Sequence, residues 1–179
     1  SRWGYKCEAD IREVAEEHRK NHLPLDSIYL DIDYMERYKD FTIDEERFPD
    51  FEGLVRDMKA QNIRLVPIID AGVKVEEGYP VYEEGVEKGY FCKDKDGKEF
   101  IAGVWPGQVH FPDVLNREAR EWFGNQYQFL LDKGIEGFWN DMNEPSIFFA
   151  QDRMDDTIDA IAELKGKNLD LDTFQKFTD

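Results

Sequence analysis

Gly137-Phe-Trp-Asn-Asp-Met-Asn-Glu-Pro-Ser146 is the stretch on which the reading of this chain turns. The apolar run that leads into it, Ile135 to Trp139, is bounded by Gly134 and by the polar residues that follow, which is the pattern of a buried parallel strand. Asp141 therefore stands where the strand leaves the sheet. In barrels and open α/β sheets the carboxyl ends of strands carry the chemistry, while mid-strand residues carry packing. Aspartate and asparagine are also favoured at helix caps and turns, so position alone leaves Asp141 divided between a pocket carboxylate and a junction residue.

Upstream, helix and strand signals alternate. Ile11, Val14, Ala15 and His18 share one face of a helix between Cys7 and Asn21, with Glu8/Arg12 and Glu16/Lys20 as four-apart ion pairs and Pro24 closing it. Leu25 to Ile32 reads as a strand ending in Asp31-Ile-Asp33, and 37–50 as a polar connection. Phe51, Leu54, Val55 and Met58 fall at helical spacing with Asn62 as the stop, and Ile63 to Ile69 is a strand ending at Asp70. Pro67 within it suggests an edge or a bulge.

From 71 to 113 the pattern changes to short aromatic runs with glycines, predicting a β-rich excursion with a two-residue hairpin turn at Asp96-Gly97. Asn116 caps a further predicted helix through Ala119, Trp122, Phe123, Tyr127, Leu130 and Leu131, stopped by Gly134. After Pro145 the chain becomes acidic and amphipathic, with Ile158, Ile161, Ala162 and Leu164 spaced for one more helix over 155–165. Strands and helices alternating with short links give parallel α/β as the fold class.

The net charge of -17 argues against nucleic-acid and anionic-membrane partners, which require basic patches. Content of 41% hydrophobic and 14% aromatic residues in 179 is enough for a folded core. Two cysteines, Cys7 and Cys92, allow no disulfide framework and no four-cysteine metal site, and read as buried thiols. No apolar stretch approaches the roughly 20 residues of a membrane span, and no signal-peptide pattern is present. The chain starts with Ser, so a processed or excised start is expected and the compartment stays open.

Trp139-Asn-Asp-Met-Asn-Glu-Pro-Ser146 closely resembles the nucleophile signature of glycoside hydrolase family 31, the α-glucosidase family. Three further blocks resemble it in the same order: Arg2-Trp-Gly-Tyr5; Leu30-Asp-Ile-Asp-Tyr-Met35 leading to Asp40-Phe-Thr42; and Val104-Trp-Pro-Gly107 with Phe111-Pro-Asp113. The resemblance covers 1–149; nothing in 150–179 contributes to it. It implies a (β/α)8 TIM barrel, which usually takes about 250 residues, so the expectation is the N-terminal half, about four βα units, with the β-rich insertion after the third strand. The remainder of the barrel is then a necessary partner, since a half-barrel alone would expose unpaired edges and apolar faces.

The resemblance further implies a retaining α-glucosidase with Asp141 as nucleophile, an α-glucoside oligosaccharide as substrate, and neither a cofactor nor a metal. Asp31 matches the aspartate that hydrogen-bonds the glucose ring, with Ile32 and Ile68 as an apolar wall and Trp3, Trp105, Trp139 and Met142 lining the pocket. The acid/base aspartate falls beyond the chain, which alone is expected to be inactive; Glu144, on a tight turn, is expected to support the nucleophile instead. Asp33 and Asp70 read more weakly, as loop-capping residues or site residues. Tryptophan at the position of Trp3 goes in this family with use of α-1,6 linkages, so isomaltose is preferred over maltose. Alanine in Ile69-Asp-Ala-Gly72, where proline is usual, touches only fine linkage preference. The competing readings are another specificity of the family, such as α-xylosidase, and a non-catalytic carbohydrate-binding fragment.

Overall fold

Three parallel strands frame the fold in this computed structural model, which describes residues 3–144 and 146–165. In chain order the elements are α1 (Glu8–Lys20), β1 (Ser27–Leu30), α2 (Phe51–Ala60), β2 (Arg64–Asp70), β3 (Val73–Lys74), α3 (Pro80–Lys88), β4 (Ala102–Val104), β5 (Gly107–His110), α4 (Arg117–Gln126), α5 (Gln128–Leu131), β6 (Trp139–Asp141), β7 (Phe149–Ala150) and α6 (Gln151–Leu164). Strands β1, β2 and β6 form the parallel sheet with β2 in the middle, and β3-β5-β4-β7 form a separate antiparallel sheet. Among the described residues the parallel sheet is open, with three strands and no closed barrel.

Local chemistry explains the helix starts. The Asp10 carboxylate accepts the amides of Lys6 and Cys7 at 2.7 and 3.2 Å, Asp50 accepts Gly53 N–H at 2.9 Å, and Asn116 accepts Glu118 N–H at 2.9 Å. Gly134, at φ +91, ends the α4–α5 run by placing Ile135 N–H 3.2 Å from the Leu130 carbonyl. The helices bury Ile11 and Ala15 from α1, Leu54, Val55 and Met58 from α2, and Trp122, Phe123 and Leu130 from α4 and α5.

Register decides which residues meet. Tyr29 pairs with Val66, Ile68 with Trp139, and Asp70 with Asp141. Parallel partners point to the same face and successive residues alternate. Ile28, Leu30, Leu65 and Ile69 therefore share the face packed against the helices, where all are at most 3% exposed. Tyr29, Asp31, Val66, Ile68, Asp70, Trp139 and Asp141 share the other.

Several sequence expectations are corrected. The excursion over 71–113 is β-rich only in part, because it contains helix α3; proline at its first turn and Gly89 at φ +64 just past its end were the available signals. Its sheet is completed by β7, which lies beyond 113. The turn at Asp96-Gly97 is a three-residue loop: Asp94 N–H reaches the Lys98 carbonyl at 2.7 Å and only Gly97 is left-handed. The expected strand over 135–140 is paired only at Trp139–Asp141, and the one helix expected before it breaks at Tyr127. The strand expected over 25–32 shortens to β1, since Ile32–Tyr34 forms a 3₁₀ turn.

Pro67 is neither at an edge nor in a bulge; it is the last residue of the β1 ladder and comes one before the β6 ladder begins, so its missing donor falls at the changeover. The 37–50 connection is not simply polar, because Lys39, Asp40, Phe41 and Phe48 are buried. Lys39 Nζ lies 3.3 Å from Glu76, which also meets Lys74 at 2.9 Å and Arg37, so one carboxylate fastens the excursion to the segment after β1. Hydrogen bonds from Lys74, then from Lys39, pull Glu76 down to about 2. Cys7 and Cys92 are free and half-buried. The acidic helix expected over 155–165 is present and starts earlier, at Gln151.

Helix α3 docks through Gly85, where an added Cβ would run into the Phe91 ring and lie 2.9 Å from Trp122. Gly124 in α4 has open space around it. In the intact protein, Gly85→Ala should cost about 1–3 kcal/mol and Gly124→Ala should stabilise by about 0.5–1 kcal/mol. Denaturant unfolding checks both, and equal effects at the two glycines would contradict the packing of α3 on α4.

Candidate active site

Strands β2 and β6 end in Asp70 and Asp141 and β1 is followed directly by Asp31, and the alternation places the three aspartates on one face. Both oxygens of Asp31 accept backbone amides: Oδ2 from Trp3 at 3.1 Å and Oδ1 from Ile32 at 2.8 Å. The first contact ties the N-terminal segment to the end of β1. Asp141 is half-buried at the end of β6. Trp3 and Met142, which flank this group, are left-handed at φ 48 and 53, a conformation non-glycine residues hold only when their surroundings impose it.

Aromatic rings border the carboxylates. Trp3 and Trp105 meet edge to face at 5.4 Å, and Trp105 meets Phe148 at 4.9 Å; all three are more than a third exposed. Trp139 meets the exposed Tyr29 at 6.3 Å. Met142 packs against Ala102, Val104, Val109 and Phe111 of the antiparallel sheet. The sequence-predicted residues thus gather around one face, with one distinction: Ile32 and Ile68 are 3% and 2% exposed and belong to the main core. Asp33 is turned into an ion pair with Arg47 at 3.5 Å, and Glu144 is exposed. Among the described residues no group of three or more His, Cys, Asp or Glu is arranged to hold a metal ion.

Sequence reasoning missed the depth of two acids. Asp70 is 7% exposed and neither carboxylate oxygen has a partner among the described residues. Burial pushes it up to about 7, and Asp141 and Asp31 add to the shift. Asp40 is 1% exposed; its Oδ1 accepts the Asp70 amide at 3.2 Å while Oδ2 has no partner among the described residues. Burial, then Asp70, raise it well above the carboxyl range, against the lowering effect of that amide. Tyr79 secures the segment by donating to the Asp40 carbonyl at 2.6 Å. The sequence signal for Asp40 was its place in the Asp40-Phe-Thr42 block, which says nothing of its depth; in the fold it lies between left-handed Tyr38 and left-handed Phe41.

Comparison with known proteins bears on this constellation. Residues 1–172 match the family described as "Glycosyl hydrolases family 31 TIM-barrel domain". The chain is 48% identical over 155 residues to Alpha-glucosidase 2 of Bacillus thermoamyloliquefaciens, covering 87% of this chain and 20% of that protein. The glucosidase II alpha subunit in its DNJ-bound form superposes with a TM-score of 0.77 at 38% identity, over 82% of this chain and 16% of the other. A glucose-complexed GH31 dextranase of Flavobacterium johnsoniae superposes with a TM-score of 0.73 at 28% identity, over 85% and 19% respectively. The chain thus spans about a fifth or less of each. A family match along nearly the whole chain agrees with the parallel strands and their terminal aspartates, and the chain belongs to glycosyl hydrolases family 31, within its TIM-barrel domain.

Proposed function

We propose that the protein carrying this chain is a retaining α-glucosidase that removes terminal non-reducing α-linked glucose from oligosaccharides, with Asp141 as its nucleophile. The observation that carries this reading is Asp141 at the open end of β6, on the same face as Asp31 and bordered by Trp139 and Met142. A retaining glycosidase sets a nucleophilic carboxylate about 5 to 5.5 Å from an acid/base carboxyl. Asp141 attacks the anomeric carbon, the bond to the leaving oxygen breaks as the acid protonates it, and water later releases the sugar from the ester. The proton donor belongs to the remainder of the barrel; residues 1–149 supply its first half, including the excursion over 71–113, and 150–179 follow the strand that carries Asp141.

Asp31, anchored by two amides, keeps lone pairs for sugar hydroxyls. Trp3, Trp105 and Trp139 offer indole faces for the apolar side of a pyranose, and Met142 fills the gap beside them. Ile32 and Ile68 back this wall from the core. Similarity to a dextranase and the tryptophan at position 3 favour α-1,6-linked substrates of the isomaltose type.

In the intact protein, a reactive cyclitol that traps α-glucosidase nucleophiles should label Asp141, and a label on another residue would refute the assignment. Asp141→Asn should lower kcat/KM by at least about a thousandfold with folding retained. Trp3→Tyr should lower the isomaltose-to-maltose ratio of kcat/KM by about fivefold or more; an unchanged ratio removes Trp3 from linkage selection. Faster turnover of an aryl α-xyloside than of either disaccharide would overturn the glucosidase reading itself.

A further inference from the structure

Asp70 and Asp141 are the same residue type, level with each other on adjacent parallel strands and on the same face. Strands lie about 4.8 Å apart, so the two carboxyls are within reach of a direct hydrogen bond through side-chain rotation. They differ in depth. Asp70 is 7% exposed with two unpartnered oxygens among the described residues, while Asp141 stands half-buried at the strand end. An ionised carboxylate in Asp70's place would be desolvated without compensation. The groups that face it are Asp141 from β6, Asp31 from the end of β1, Asp40 from the segment after β1, and the Tyr34 hydroxyl, which donates to the Ile68 carbonyl at 2.8 Å. No cation is among them.

We propose that Asp70 is a positioning residue for Asp141: it keeps its proton while Asp141 is ionised, and donates its O–H to the Asp141 carboxylate so that the attacking oxygen is held toward the anomeric carbon. This deepens the reading of Asp141 as nucleophile and rests on it. Two neighbouring carboxyls share one proton, and burial decides which of them keeps it. Asp70 makes and breaks no covalent bond. When the Asp141 oxygen bonds to the anomeric carbon, the negative charge on Asp141 disappears and the Asp70 O–H turns to the ester carbonyl oxygen. The proton for the leaving oxygen comes from the acid/base residue, and Asp70 retains its own throughout.

A folded pKa raised above the unfolded value means that the folded state binds more protons, so this group lowers stability as pH climbs from about 4 to about 7 and not further beyond. The test uses the intact enzyme and an α-glucosylpyridinium salt, whose pyridine departs without a proton, so that ionisation of the acid/base residue does not enter. Wild-type kcat/KM should fall about tenfold per pH unit above about pH 7. Asp70→Asn keeps an N–H donor but cannot ionise; it should stay within about tenfold of wild type below pH 6 and lose the alkaline fall. Its gain in melting temperature over wild type should be larger at pH 8 than at pH 4. Asp70→Leu, without a donor, should lose about a hundredfold.

An alkaline fall that persists in Asp70→Asn, or a folded Asp70→Leu as active as Asp70→Asn, overturns the proposal. Should either variant fail to fold, a wild-type profile that stays flat to pH 9 overturns it alone. A cyclitol label that misses Asp141 in the wild type instead refutes the nucleophile assignment, so the two failures are told apart.

Discussion

The pairing of Ile68 with Trp139 and of Asp70 with Asp141 across β2 and β6 is the constraint on which the rest of the site depends. Because side chains alternate along a strand, a one-residue slip would send Asp141 and Trp139 to the helix-packed face and bring Asn140 to the pocket. The register is set from the other side of the sheet: Leu30, Leu65 and Ile69 must stay against the helices, and moving them into water would cost about 1.5–3 kcal/mol each. Packing chemistry on one face thus fixes the placement of the aspartates on the other.

The excursion and the loop after Asp141 hold each other in place. Strand β7, a few residues after Asp141, pairs with β4, and Phe148 N–H donates to the Gly103 carbonyl at 2.8 Å. Gly103 has no side chain where the Phe149 ring lies, so any larger residue would push β7 off β4. Trp105 follows directly from β4 and packs on Phe148. A shift of the loop after Asp141 therefore moves the indole that borders the carboxylates. Glu76 makes a second tie, joining the excursion to buried Lys39 beside Asp40.

Much of this was legible in the sequence. The alternation of β1, α2, β2, α4 and β6, the cap at Asn116, and the placing of Asp31, Asp70 and Asp141 at strand ends all rest on local signals or short motifs. Helix α3 was hidden among aromatic residues that suit strands, although Pro80 and Gly89 bracket it. Asp40 and Asp70 were harder in kind. Asp40 lies between the left-handed residues Arg37 and Tyr38 and left-handed Phe41, its carbonyl held by the distant Tyr79, and its Oδ1 meets the amide of Asp70 on β2; none of these long-range contacts shows in the local sequence.

That hidden burial also explains how two identical side chains on neighbouring strands can serve different ends. Sequence assigns aspartates by type, whereas the sheet assigns them by depth: Asp141 stands half-buried at the strand end, and enclosure beside Asp40 and Tyr34 leaves Asp70 costly to ionise. Pairs of acids whose surroundings push them apart are how one fold separates a charged attacker from a neutral donor. The amide of Asp70 points at Asp40, so even the backbone donor that could have eased the charge on Asp70 is engaged by a second buried acid.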